Sequence, residues 1–230
     1  LSMDSPGGDL IDGYERVDNI THTIQATYTE AVGQPVSKDA IFAYVYGILH
    51  SPQYRTTYAT DLKKMLPRIP TPDSLEQFEG FAAAGQALIE LHLGYETVEP
   101  YPLVEEWALN PSDDPARYRV TKMAFAKKGK DKDRSRIVYN AALTLSGIPE
   151  DAYRYQLGSR SAVEWILDRY QVRTDKASGI VNDPNTYSDN PRYIIDLLKR
   201  IVTVSIETMH IVDALPDLPG SRMKDREPPG

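Results

Sequence analysis

Cysteine is absent from the 230 residues, so neither a disulfide framework nor a thiolate metal site exists. No apolar run approaches the roughly 18 residues that a membrane span requires. No basic-then-apolar leader opens the chain. The four histidines, His22, His50, His92 and His210, are scattered without His-x-His or HExxH spacing, which leaves a metal site without support. Gly-x-Ser-x-Gly, Gly-x-Gly-x-x-Gly and P-loop patterns are all missing, which removes the common nucleophile, dinucleotide and nucleotide signatures. The expectation is a cytoplasmic protein with no membrane partner. The opening LSMDSPGGDL begins on Leu1 and suggests a piece of a longer polypeptide. At 41% apolar and 26% charged residues, the chain is long enough for one large domain or two small ones with a real core.

What the chain has is an uneven charge. The net charge of −7 argues against nucleic acid, but its distribution argues the other way. Residues 71–116 hold ten acids and no Lys or Arg, whereas residues 117–136 hold nine basic residues and two acids. Polyanion binding depends on the local patch, because each neutralised phosphate releases counterions. The basic run KKGKDKDR reads either as a solvated loop tip or as a polyanion contact. The acidic stretch reads as a solvated helix face or as a surface for a basic partner domain.

Hydrophobic spacing predicts an α+β fold, mostly helical, with a small antiparallel sheet and a long C-terminal helix. Residues 1–35 are polar and weakly periodic. Ser37 can cap a helix through AIFAYVYGILH, and Ser51-Pro52 can start a second over 52–66, with Tyr54, Tyr58, Leu62 and Met65 on one face. A third helix is expected over 73–93. After Gly94, prolines punctuate an extended stretch, then RYRVTKMAF and RIVYN read as strands joined by a loose KKGKDKD turn, with AALTLSG as a third strand. Ser161 and Glu164 match a capping box ahead of AVEWILDRY, and GSR before it puts Arg160 and helix-terminal N–H groups where an anion can bind. The strongest helix starts at Asn190-Pro191 and ends before Pro216. Domain bounds follow: a lead over 1–11, a module over 12–215 (helical about 36–93, sheet about 117–147, helical about 150–215), and a tail over 216–230 without core-forming pattern.

Two segments, NPRY at 190–193 and DPNTY at 183–187, approach the Asn-Pro-Pro-Tyr motif that holds a flipped adenine. Each lacks the second proline, and no glycine-rich turn for S-adenosylmethionine accompanies them. Asp61 and Lys63 have nuclease-like D-x-K spacing, but within a predicted helix. The expectation is that this chain has no active site of its own.

Longer passages carry a family resemblance. DGYERVDNIT at 12–21, IFAYVYGILHSPQYRTTYATDLKKMLPRIP at 41–70, SGIPEDAYRYQLGSRSAVEWILDRYQVRTDKASGIVNDPN at 146–185 and PRYIIDLLKRIVTVSIETM at 191–209 resemble the C-terminal target-recognition region of Type ISP restriction-modification enzymes. Those are single polypeptides carrying a nuclease, a helicase-type ATPase, an N6-adenine methyltransferase and a specificity module. The resemblance implies a module that reads a site in double-stranded DNA and works beside the methyltransferase and helicase domains of the same polypeptide. It implies no cofactor here, with S-adenosylmethionine, ATP and Mg needed only by the parent enzyme.

With that resemblance, the basic segments become candidates for DNA contact. A two-stranded ribbon fits a major groove, where Arg and Lys read guanine edges. The candidates are Arg119, Lys122, Lys127, Lys128, Lys130, Arg134 and Arg136, with Arg160, Arg173 and Lys176 as a second cluster. Asn182 is either an adenine reader or a turn residue, and Tyr54 and Arg55 are weaker candidates. The rival reading is a helical protein-interaction module with no direct DNA contact; a third is a degenerate methyltransferase fragment. The first reading requires residues 117–136 and 160–176 to converge on one concave face.

Overall fold

A computed structural model describes residues 10–11, 14–15, 17–65, 67–108 and 114–220. The chain divides into two compact units, one of residues 1–89 with 214–230 and one of residues 90–213. The outermost lead and tail and Pro111 lie outside the described residues.

The first unit is built on helices, preceded by a short antiparallel pair, β1 (Leu10–Ile11) and β2 (Tyr14–Glu15). Helix α1 (His22–Val32) is capped by the Thr21 side chain and ends at Gly33, whose φ of 77° suits a residue without Cβ. Sequence spacing did not mark α1, because Tyr28 is its one buried residue and leaves no stripe to detect. Helix α2 (Lys38–His50) starts at Ser37 as expected, and its Ile41, Tyr44 and Ile48 are buried. The expected helix over 52–66 is two pieces, α3 (Pro52–Thr57) and α4 (Ala59–Lys63), broken at Tyr58 just after Thr56 and Thr57, which are poor helix formers. Helix α5 (Leu75–Leu93) supplies Phe78 and Phe81 to a core shared with Tyr28, Tyr44 and Tyr54. The Tyr44 and Phe78 rings stack at 5.3 Å, and the buried Tyr44 hydroxyl donates to the Pro70 carbonyl at 2.8 Å.

The expectation of a tail without core pattern needs correction. Leu218 is buried in the core of the first unit; its N–H donates to Gln53 Oε1, and Gln77 donates to the Asp217 carbonyl. A single leucine among prolines has no period to betray it.

The second unit is a four-stranded antiparallel sheet in the order β3-β6-β5-β4, from β3 (Val104–Trp107), β4 (Ala124–Lys128), β5 (Asp131–Val138) and β6 (Leu143–Ser146). Two small two-stranded hairpins decorate it. Strands β7 (Gln156–Leu157) and β8 (Arg160–Ser161) make one hairpin, and β9 (Arg173–Thr174) with β10 (Val181–Asn182) make another. Helix α6 (Ala162–Arg169) follows β8, and α7 (Tyr193–Asp213) closes the unit. Ile137, Tyr139, Leu143 and Leu145 from the sheet are packed in one core with Val163 of α6 and Ile195, Leu198 and Val202 of α7.

The strand expected over RYRVTKMAF is mostly not a strand. Pro115–Tyr118 is a 3-10 turn, and pairing begins only at Ala124. Two asparagines replace the ladder that Val120 and Thr121 suggest. Asn140 donates to the carbonyls of Arg117 and Arg119, and the Asn185 amide both accepts from the Val120 N–H and donates to its carbonyl. The sheet also gains β3 from the proline-punctuated stretch, where Glu105 faces Leu145 across the ladder.

Glu105 ties that strand to α7. Arg192 Nη2 and Lys199 Nζ each lie 2.6 Å from Glu105 Oε1. Burial alone would raise the Glu105 carboxyl, but these bonds outweigh it and hold the pKa at about 2.

Candidate nucleic-acid interface

Strands β4 and β5 meet in a two-residue turn, Gly129-Lys130, not the loose loop expected. Gly129 has φ 66°, as the first central residue of a type II′ hairpin requires. The register puts Lys127 directly across from Lys132 and Lys128 across from Asp131. Side chains alternate between faces along a strand, so Lys127 and Lys132 share one face and Lys128 takes the other. The pairing shifts between Phe125 and Ala126, and β5 pairs with β6 only over Arg136–Val138. The end of the hairpin is therefore a two-stranded arm standing beyond the sheet.

The Lys127–Lys132 face opens on a cleft of about 510 Å³. Lys122, Lys127 and Lys132 lie on one wall; Ser159, Arg160, Glu164 and Asp168 come from the β7–β8 hairpin and α6. Of the expected candidates, Lys122 and Lys127 of the first segment and Arg160 alone of the second line this one concave surface. Lys122, Lys127 and Lys132 form no ion pair within 4 Å among the described residues.

The opposite wall is held by ion pairs. Asp168 receives Arg160 at 3.1 Å and Arg173 at 2.6 Å, one on each carboxylate oxygen. The Arg173 hydrogen bond, reinforced by Arg160, holds the Asp168 carboxyl below the usual carboxylate range. Arg160 also lies 5.5 Å from the centre of the Trp165 ring, whose N–H donates to the Leu157 carbonyl. Arg160 is therefore presented in a set position.

The anion site expected at the start of α6 is occupied from within. Ser161 and Glu164 complete the capping box, and Glu164 Oε2 accepts from the Ser161 N–H at 2.9 Å. Burial would raise the Glu164 carboxyl, but the Ser161 hydrogen bonds prevail and keep it below its usual range. A carboxylate already neutralises that helix terminus, so an incoming phosphate meets repulsion there.

The other candidates are dispersed. Arg119 pairs with Asp183 at 2.7 Å and lines a different, smaller cavity with Tyr118, Asn185 and Asn190. Arg136 pairs with Glu106 of β3. Arg134 lies 4.0 Å over the Tyr153 ring and 3.8 Å from Glu164. Lys130 sits in the turn and Lys176 in the exposed loop between β9 and β10. Asn182 lies on strand β10, not in a turn, and its Oδ1 accepts from the Tyr187 hydroxyl. Tyr54 is fully buried, with its hydroxyl on the Arg68 carbonyl, so it has no route to DNA; Arg55 donates to the Leu49 carbonyl. Lys132 was not among the candidates. A register across a two-residue turn would have placed it opposite Lys127, but the loose-loop reading hid that register.

The near-motifs for adenine methylation serve the fold. Asp183 caps the Asn185 N–H, Asn185 clamps Val120, and Asn190 Oδ1 accepts from the Arg192 N–H. Asp61 and Lys63 lie on the short α4, not on a strand. Among the described residues no cluster of three or more His, Asp or Glu is placed to hold a metal ion. No helix among them is long and apolar enough to cross a membrane.

The model of the Type ISP C-terminal specificity domain matches residues 2–197. Among solved structures, the chain is similar to the ATP-dependent Type ISP restriction-modification enzyme LlaBIII bound to DNA, with 38% identity, a TM-score of 0.75, and coverage of 86% of this chain and 12% of that one. It is also similar to a nuclease-deletion mutant of the Type ISP enzyme LlaGI in complex with a DNA substrate mimic, with 45% identity, a TM-score of 0.69, and coverage of 80% and 17%. The DrdV–DNA complex matches with 36% identity, a TM-score of 0.76, and coverage of 91% and 21%. The chain thus spans from 12% to 21% of the length of these proteins. No curated protein matches it.

Proposed function

The chain belongs to the Type ISP C-terminal specificity domains, and from that premise we propose that it reads a site in duplex DNA and holds the duplex for methyltransferase and nuclease parts of a longer polypeptide. It contributes recognition and no catalytic group. On this reading S-adenosylmethionine, ATP and Mg belong to other parts of the polypeptide; in support, Asn185 and Asn190 of the near-motifs are spent on backbone contacts, and among the described residues no three His, Asp or Glu are placed to hold a metal ion. The three similar structures are of proteins with DNA, which supports the reading.

The observation that carries it is the cleft where Lys122, Lys127 and Lys132 line one wall opposite Glu164 and Arg160, the latter held by Asp168. Cations directly opposite each other on a ladder repel, so such a pair weakens the hairpin unless an anion lies between them. A phosphate backbone supplies that anion and gains counterion release. Most such contacts position the duplex; base edges are read by fewer groups.

The test is a titration of fluorescent duplex at several salt concentrations. Lys127→Ala with Lys132→Ala weakens binding to all sequences alike and flattens the log–log salt dependence by about 2, since each lost phosphate contact removes about 0.9. Unchanged affinity together with an unchanged slope rejects the cleft as the DNA surface. It would leave the protein-interaction reading in its place.

A further inference from the structure

The hairpin β9–β10 carries an apolar tip that no packing explains. Ile180 is 69% exposed and Val181 58%, adjacent in the chain. Single exposed aliphatics are ordinary; two β-branched residues side by side on a stiff projection are not. Their neighbours on the ribbon are engaged. Arg173 is bound to Asp168, and Asn182, across the ladder from Arg173, holds the Tyr187 hydroxyl. The Thr174–Val181 pair occupies the other face of the ribbon.

The tip is stiffened. Asp175 Oδ1 accepts from the N–H groups of Ala177 and Ser178 and from the Ser178 hydroxyl. The Asp175 N–H donates to the Ile180 carbonyl, and the Gly179 N–H to the Asp175 carbonyl. At its root, the Val172 N–H donates to the Thr121 carbonyl, beside cleft-lining Lys122. Asp168 belongs both to the cleft wall and, through Arg173, to the ribbon. An ordered apolar tip with Lys176 in its loop and Arg173 at its base is therefore fastened to the lysine cleft.

We infer that Ile180 and Val181 are sequence-reading residues that contact thymine methyl groups in the major groove. The inference rests on the reading of this chain as a DNA-recognition module. Duplex DNA is the occupant that fits, because the apolar tip is continuous with cations suited to phosphate and a two-stranded ribbon is admitted by the major groove. In that groove the C5-methyl of thymine is the apolar feature that distinguishes a base pair. Val181 on the strand and Ile180 just before it together give the tip its apolar character.

The experiment selects bound duplexes from a random-sequence pool with the wild-type chain, with Ile180→Ser/Val181→Ser, and with Lys127→Ala/Lys132→Ala. Both tip residues are exposed, so serine there leaves the fold intact. The serine variant keeps wild-type affinity for unselected duplex and a wild-type salt slope. It loses about tenfold in preference for the wild-type-selected sequences, the scale of one lost base contact. Replacing the contacted thymine by uracil in those sequences weakens the wild-type chain and leaves the serine variant unchanged. A serine variant that retains the full preference, or that suffers the same uracil penalty, overturns the assignment. If the lysine variant binds as the wild type does while the tip result holds, the cleft reading fails and the tip stands. If the wild-type chain enriches no duplex at all, both fall.

Discussion

Lys127 and Lys132 lie directly opposite each other across the β4–β5 ladder and line the same cleft. An arrangement selected only for stability would put a carboxylate at one of these positions, as the next pair, Lys128 with Asp131, does. The hairpin keeps one pair compensated across the ladder, Lys128 with Asp131, and one cationic pair turned to the cleft, where Glu164 of α6 is the carboxylate near Lys132. Charge in this region is thus sorted by strand alternation and not merely by sequence run.

Lys132→Glu separates stability from binding. An opposite-charge pair replaces a repulsive one, so unfolding in urea shifts toward greater stability by about 0.5 kcal/mol. Duplex affinity falls, because a negative charge now stands on the phosphate track. A variant that is both less stable and equally tight in binding contradicts the pairing.

Asp168→Asn frees Arg160 and Arg173 from their common partner. The cleft gains a unit of positive charge, so unselected duplex binds more tightly and with a steeper salt dependence. Discrimination between sequences falls, because Arg173 no longer anchors the β9–β10 ribbon. Competition between selected and unselected duplex measures both effects.

Acid should weaken the sheet through Glu105. Its pKa of about 2 in the fold lies below its ordinary 4.5, so the Arg192 and Lys199 contacts contribute fully above pH 4.5. That contribution is lost as pH falls toward 2. Allowing for partial solvent screening, it is worth about 2 kcal/mol. Glu105→Gln lowers stability at neutral pH and flattens the acid limb of the stability profile measured by chemical denaturation.

Gly85→Ala tests the α2–α5 contact. A Cβ at Gly85 would stand 1.8 Å from the Ala43 carbonyl oxygen, and one at Gly47 would stand 2.4 Å from that of Phe81. Backbone cannot retreat as a flexible side chain does, so the helices must separate. The expected cost is about 3 kcal/mol by thermal or chemical unfolding. An alanine here that leaves the midpoint unchanged would show that the helices do not cross this closely.

Much of the secondary structure was legible because its signals are local. Ser37, Ser51 and Ser161 each cap the helix their side chains announce. The buried stripe Ile194, Leu197, Leu198 and Ile201 appears in α7 at the spacing that marked it. Where the signal was tertiary, the reading failed. Val120 and Thr121 looked like strand residues, but Asn140 and Asn185, both distant in sequence, satisfy the backbone around them. Leu218 looked like tail, but Gln53 and Gln77 fasten its segment. Half of the basic candidates turned out to be engaged by carboxylates that lie far away in the chain or beyond a turn: Arg119 by Asp183, Arg136 by Glu106, Arg160 and Arg173 by Asp168, and more loosely Arg134 by Glu164.

The sequence alone determined the family, the α+β composition, the helix starts and the existence of a concentrated basic segment, since each depends on residue identity or on spacing within one element. Only the tertiary structure decided which cations face a common cleft. That choice depends on a two-residue turn setting the register of β4 against β5 and on Asp168 gathering two arginines from different hairpins. Alternation transmits a one-residue change in register to every side chain, so the facing of a lysine is fixed by its partner strand and not by its neighbours in the chain.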